Sequence, residues 1–112
     1  MRKIGILEDD AALARELKYF LETNGYEVQS FPVEEYEEKS EEELIALLVG
    51  SGCHLLLLDI GLPQTDGLYL CREIRKRSEL PIIMITSRDT EMMELISIHS
   101  GADDFVTKPF SE

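Results

Sequence analysis

The feature that most constrains this chain is a series of short apolar runs, each ended by a polar or acidic residue and separated from the next by a stretch with helical spacing. Residues 4–7, 55–58, 82–85 and 105–107 read as strands, and residues 27–31, which alternate Val28 and Phe31 with polar neighbours, read as an edge strand. Several of these runs are apolar at every position, which suits a parallel sheet covered on both faces. Leu13, Leu17, Phe20 and Leu21 recur at helical spacing, and Asn24-Gly25 supplies a stop. Residues 42–49, ended by Gly50 and Gly52, and residues 68–77, with Cys71 and Ile74 before Pro81, read as two further helices. A fourth spans 90–100, with Met92, Leu95, Ile96 and His99 as its stripe and Gly101 as its end. Strand and helix thus alternate, the order of an α/β doubly wound, five-stranded parallel sheet with right-handed crossovers.

The chain has 112 residues, enough for one domain and one core. Its 11 basic and 23 acidic residues leave a net charge of −12, which repels phosphate backbones and anionic lipid, so neither nucleic acid nor a membrane surface is expected to be bound by this domain itself. Residues 34–43 hold seven Glu and one Lys, half of that net charge, and read as a solvated loop or helix start, with a docking surface for a basic partner as the alternative. No apolar run approaches the roughly 20 residues of a bilayer span, and the N-terminus reaches Glu8 too soon for a secretory signal. A cytoplasmic location is expected. Cys53 and Cys71 lack the spacing of a disulfide framework or zinc site and read as buried free thiols. His54 and His99 have no ligand-spaced partners, and Arg72, Arg75, Lys76 and Arg77 read as an exposed helix end.

In open parallel sheets, ligands bind beyond the carboxyl ends of the strands, at the switch point of strand order. Here those ends carry Glu8-Asp9-Asp10, Asp59, Thr86-Ser87 and Lys108-Pro109. Carboxylates converging there repel unless a cation compensates, and Mg²⁺, with its preference for oxygen, suits the set. A carboxylate beside Mg²⁺ can attack phosphorus to give an aspartyl phosphate, with Lys108 and Thr86 meeting the phosphoryl oxygens. Each residue taken singly also has a structural reading: Asp59 before Leu62-Pro63 as a turn, Glu8-Asp9-Asp10 as a helix cap, Lys108 as a surface charge.

Ile6-Leu7-Glu8-Asp9-Asp10, Leu57-Leu58-Asp59-Ile60-Gly61-Leu62-Pro63 with Asp66-Gly67, Ile85-Thr86-Ser87, and Gly101-Ala102-Asp103-Asp104-Phe105-Val106-Thr107-Lys108-Pro109-Phe110 together resemble the response-regulator receiver (CheY-like) domain of two-component signalling. The last run is most similar to regulators of the OmpR/PhoB type, whose output is a winged-helix DNA-binding domain. The resemblance covers essentially the whole chain. It implies the flavodoxin-like strand order 2-1-3-4-5, for which a chemotaxis member of this family is a standard example.

The resemblance also implies roles. Asp59 matches the phosphorylated aspartate. Asp9, Asp59 and the backbone carbonyl of Gly61 match the Mg²⁺ ligands, with Glu8 reaching the metal through water. Asp10 reads as the N-cap of the first helix. Thr86 matches the switch hydroxyl, with Ser87 beside it at the phosphoryl group where a very small residue is common, and Phe105 matches the aromatic that moves with Thr86. Lys108 matches the phosphoryl-binding lysine, and Lys108-Pro109 the family's cis peptide. The implied function is to take a phosphoryl group from a sensor histidine kinase onto Asp59 and switch the surface of the fourth helix and fifth strand, controlling DNA binding and transcription by the full-length protein. Self-phosphorylation and slow self-dephosphorylation would be its only chemistry.

Two departures from the family pattern stand out. The stretch from Phe31 to Asp59 is longer than usual, and the chain stops at Glu112, where relatives continue into a fifth helix. A receiver domain over residues 1–112, cut before its last helix and without its output domain, is therefore expected. So is a partly bare sheet face, covered by self-association into a homodimer. Two other functions stay open: a receiver-like interaction module that is never phosphorylated, and a Mg²⁺-dependent phosphatase of the haloacid dehalogenase type. The second requires Asp-x-Asp, whereas Asp59 is followed at that spacing by Gly61.

Overall fold

The computed structural model describes residues 2–32, 39–59, 67–86 and 101–107, with Thr86 and residues 104–107 described by their backbone. In chain order the elements are β1 (Lys3–Leu7), α1 (Ala11–Thr23), β2 (Glu27–Ser30), α2 (Glu41–Val49), β3 (Leu55–Asp59), α3 (Gly67–Arg77), β4 (Ile82–Thr86) and β5 (Asp104–Thr107). The helix expected over 90–100 lies outside the described residues. All strand pairs are parallel, and the order β2-β1-β3-β4-β5 is the one the resemblance implies.

Helix ends follow local chemistry. Asp10 caps α1, its Oδ1 accepting the N–H groups of Ala12 at 3.1 Å and Leu13 at 3.2 Å, as expected for this residue. Asn24 closes the helix and Gly25 turns the chain away at φ +93°, a conformation that glycine adopts without a Cβ penalty. Ser40 and Glu43 form a reciprocal capping box at the start of α2, and the hydrogen bonds from the Ser40 backbone and hydroxyl hold the Glu43 carboxyl below its ordinary range. The described part of the acidic stretch is thus a helix start, where Glu41, Glu42 and Glu43 sit favourably against the positive end of the dipole.

Strand ends differ slightly from the apolar runs. Asp59 and Thr86 are the last residues of β3 and β4 rather than the first beyond them, because ladder pairing needs backbone groups and not apolar side chains. Conversely, β2 stops at Ser30, and Phe31 turns inward to 2% exposure while its N–H still donates to the Ile6 carbonyl at 2.9 Å.

The two faces of the sheet are covered unequally. On one, Leu7, Leu56, Leu58, Ile82 and Met84 pack with Leu44, Ile45 and Leu48 of α2 and Leu70, Cys71 and Ile74 of α3 into a continuous core. Each such fully buried aliphatic side chain contributes about 1.5–3 kcal/mol. Gly5 shares this face because nothing larger fits: a Cβ there would stand 3.0 Å from Cys53 Sγ and 3.1 Å from Phe31 Cε2. On the other face, Ile4, Ile6 and Ile85 are buried but Leu55, Leu57 and Ile83 are only half-buried. A groove of about 670 Å³ opens beside them, lined by Ile4, Phe20, Leu21, Tyr26, Leu55 and Pro81 among others.

Candidate functional site

The register decides what meets at the carboxyl edge of the sheet. Leu7 pairs with Leu58, so the next residues, Glu8 and Asp59, stand side by side. Asp59 in turn pairs with Ile85, and Thr86 with Thr107. Carboxylate oxygens of Glu8, Asp9 and Asp59 all lie within 4.8 Å of one another. Glu8 is 4% and Asp59 5% exposed, whereas Asp9 is exposed. Glu8 Oε2 accepts the Asp10 N–H at 3.2 Å, which holds the acidic turn against β1 while the Asp10 side chain is occupied with α1.

Three carboxylates so close repel one another, and burying two of them costs still more unless cationic or hydrogen-bonding partners compensate. The donors are all hard oxygen atoms, one of them open to solvent, which fits a hard divalent cation that keeps part of its water shell better than a softer metal. The structure thus brings together Glu8, Asp9 and Asp59 as expected from the sequence. It places Thr86 at the end of β4 and Phe105 within β5, opposite Met84. Gly61, Ser87, Lys108 and the Lys108-Pro109 peptide lie outside the described residues, so their expected roles rest on the resemblance.

Beside the carboxylates runs a groove of about 310 Å³ whose lining includes Ala14, Arg15, Lys18, Phe31, Glu8 and Asp9. Sequence reading does not single out Arg15 and Lys18. Their one signal is a spacing of three residues on α1, which puts both on one side of the helix.

Among the described residues, neither the histidine nor the cysteines join the acidic cluster. His54 Nδ1 accepts the Lys3 N–H at 2.9 Å, in line with a non-ligand histidine, and His99 lies outside the described residues. Cys71 is fully buried, and burial pushes its thiol up to about 11. Cys53 is only half-buried, so the expectation of two buried thiols holds for Cys71 alone. The basic end of α3 is exposed as expected at Arg72, Lys76 and Arg77, and Arg75 alone departs. Arg77 joins Glu42 of α2 and Lys76 joins Glu73 at the surface, but Arg75 is held by four oxygen acceptors, because the 101–103 turn folds back over it.

Among known proteins, the family model described as the response regulator receiver domain matches residues 4–112. Solved structures align along nearly the whole chain. The BeF3-activated N-terminal receiver domain of Klebsiella pneumoniae RstA is 29% identical, with 98% of this chain and 88% of that one covered and a TM-score of 0.82. A two-component response regulator from Clostridium difficile is 30% identical, with 99% and 86% covered and a TM-score of 0.84. The N-terminal domain of the nisin resistance regulator NsrR is 34% identical, with 99% and 88% covered and a TM-score of 0.80.

Proposed function

Because the chain belongs to the response regulator receiver domain family, we propose that Asp59 takes a phosphoryl group from the phosphohistidine of a sensor histidine kinase. The observation that carries this reading is the convergence of Glu8, Asp9 and Asp59 within 4.8 Å at the switch point of the sheet. Asp9, Asp59 and the Gly61 carbonyl would hold Mg²⁺, with Glu8 acting through water. Bound there, the ion would offset the charge of the carboxylates and of the phosphoryl group.

An Asp59 carboxylate oxygen forms the new bond to phosphorus as the P–N bond to the kinase imidazole breaks, and the imidazole leaves with that electron pair. Thr86, the last residue of β4, and Ser87, next to it in sequence, would receive phosphoryl oxygens by hydrogen bond, and Lys108, the residue after β5 in sequence, would meet them with its ammonium group. Attack of water on phosphorus later releases phosphate and restores Asp59. The chain is thus a phosphorylated switch rather than a turnover enzyme. Phosphorylation biases Phe105 and the surface of residues 90–100 and β5 between two states, which an attached DNA-binding domain reads out as transcription.

Two further readings concern surroundings. Among the described residues no helix is long and apolar enough to cross a membrane, and we place the protein in the cytoplasm with its kinase's catalytic part. The half-buried Leu55, Leu57 and Ile83 and the groove beside them favour self-association as a homodimer, which light scattering well above micromolar concentration tests.

The deciding experiment is intact mass after incubation with Mg²⁺ and acetyl phosphate, for the wild type and Asp59→Asn. Gain of one phosphoryl group by the wild type, absent in the variant and with chelator, is the expected result. No gain in a folded sample overturns the reading in favour of a non-phosphorylated interaction module, and turnover of small phosphoesters would favour the phosphatase.

A further inference from the structure

Arg75 divides its guanidinium between two short stretches of chain, 78–80 and 101–103. Nε donates to the Gly101 carbonyl at 2.9 Å, Nη1 to the Leu80 carbonyl at 2.9 Å and the Ser78 carbonyl at 3.4 Å, and Nη2 to Asp103 Oδ2 at 2.9 Å. The stem lies so close to Gly101 that a Cβ there would stand 3.0 Å from Arg75 Cγ, and Gly101 also has φ +102°. That turn therefore demands glycine twice over, once for conformation and once for the arginine. Asp103 grips the first residue of β4 from both sides. Its N–H donates to the Ile82 carbonyl at 2.8 Å, and Oδ2 accepts the Ile82 N–H at 2.8 Å beside the bond from Arg75.

These bonds sit where β5 begins. β5 is a four-residue strand at the edge of the sheet, paired only with β4, so its own ladder specifies register weakly. A slip of one residue would shift it by about 3.3 Å and exchange its faces. We infer that Arg75 and Asp103 form a clamp that sets the register of β5 on β4, which makes Arg75 a positioning residue for the phosphoryl-binding end of that strand. The second half of this inference rests on the function proposed for Asp59 and Lys108. With Ile83 opposite Asp104, the pairing runs to Thr86 opposite Thr107, and Lys108 follows at once. The carboxylates stand just beyond β1 and at the end of β3, and neither strand supplies a group to the clamp, so cation binding and phosphoryl transfer should separate when it is broken.

The test uses the 112-residue chain as Arg75→Ala, Arg75→Lys and Asp103→Asn, with three readouts: hydrogen exchange of the β5 amides, affinity for Mg²⁺, and rate of phosphorylation by acetyl phosphate. Arg75→Ala should keep Mg²⁺ affinity within about twofold, because the two regions share no partners. It should lose at least about tenfold in phosphorylation rate, the scale expected when a reacting group is misplaced by an ångström or so. Its β5 amides should exchange faster while those of β1 and β3 stay protected. Arg75→Lys should fall between, since an ammonium keeps the charge opposite Asp103 but not the fork to Gly101 and Leu80. A wild-type rate in Arg75→Ala, or a parallel fall of rate and Mg²⁺ affinity, overturns the inference. If Arg75→Ala does not fold, wild-type exchange and rate in both Arg75→Lys and Asp103→Asn overturn it. If the wild type itself is not phosphorylated, the proposed function fails, and unchanged β5 exchange in Arg75→Ala is then the result that removes the clamp.

Discussion

Replacing Asp9 with Asn should make the protein more stable without metal and less responsive to it. Asp9 contributes one of three carboxylates whose oxygens lie within 4.8 Å of one another. Two unit charges at that distance repel by about 0.9 kcal/mol in bulk water and about 3.5 kcal/mol at an effective dielectric constant near 20. Asp9 is exposed, so solvent screens it and the lower end applies. Relief of its repulsion with Glu8 and Asp59 together should stabilise the fold by about 1–2 kcal/mol in chelator at low salt. For 112 residues the entropy of unfolding is about 0.24 kcal/mol/K, so Tm should rise by about 4–8 °C. Mg²⁺ acts in the opposite sense: at ten times its Kd it stabilises the wild type by about 1.4 kcal/mol, or about 6 °C. Asp9→Asn, lacking a ligand, should gain little. Scanning calorimetry in chelator and across a Mg²⁺ titration would then show the variant ahead at first and the gap closing as metal is added. A lower Tm for Asp9→Asn in chelator would refute the repulsion, and an equal response to Mg²⁺ would remove Asp9 from the metal site.

Gly5→Ala should cost about 1–2 kcal/mol, since the new methyl meets Cys53 Sγ, Phe31 Cε2 and Leu56 Cδ1 at 3.0–3.2 Å and only the half-buried Cys53 can readily yield; urea unfolding of the variant at or above wild-type stability would show that the core relaxes. Burial holds the Cys71 thiol at about 11 against an ordinary 9.0, so its contribution to stability is fully present below pH 9 and is lost as pH rises through about 11. The stability gap between the wild type and Cys71→Ala should therefore narrow over that interval, and a constant gap would contradict the burial argument. In the native protein at pH 8, a thiol reagent should label Cys53 promptly and Cys71 only after unfolding, checked by peptide mass.

The acidity of the site explains why its residues divide as they do. Glu8 and Asp59 are carried under the helices by the ends of two central strands, while Asp9, one residue on, is left at the surface where water and a cation can reach it. Asp10 is then the N-cap of α1, its charge spent on the free N–H groups of the first turn. Glu8, Asp9 and Asp10 thus pass in three successive positions from core to cap, and only the first two join Asp59 in the acidic cluster.

Much of this was legible in the linear chain. Apolar runs of strand length, stripes at helical spacing, and Asp10, Asn24-Gly25 and Gly50 as stops are local signals, and they yielded the elements to within a residue or so because capping and periodicity act over a few residues. The motifs that end the strands likewise single out Asp59, Asp9 and Glu8 in the sequence itself. Register and long-range partners were not legible in this way. That Glu8 stands beside Asp59 depends on Leu7 pairing with Leu58, and that Gly5 must be glycine depends on Phe31 and Cys53, which are distant in sequence. Arg75 makes the point most sharply. In the chain it is one of four basic residues at a helix end, alike in charge and spacing, yet it alone turns under the 101–103 loop. A helical pattern states which side of a helix is apolar; which oxygen atoms wait for a guanidinium at its end is settled only when the sheet has brought Ile82, Gly101 and Asp103 together.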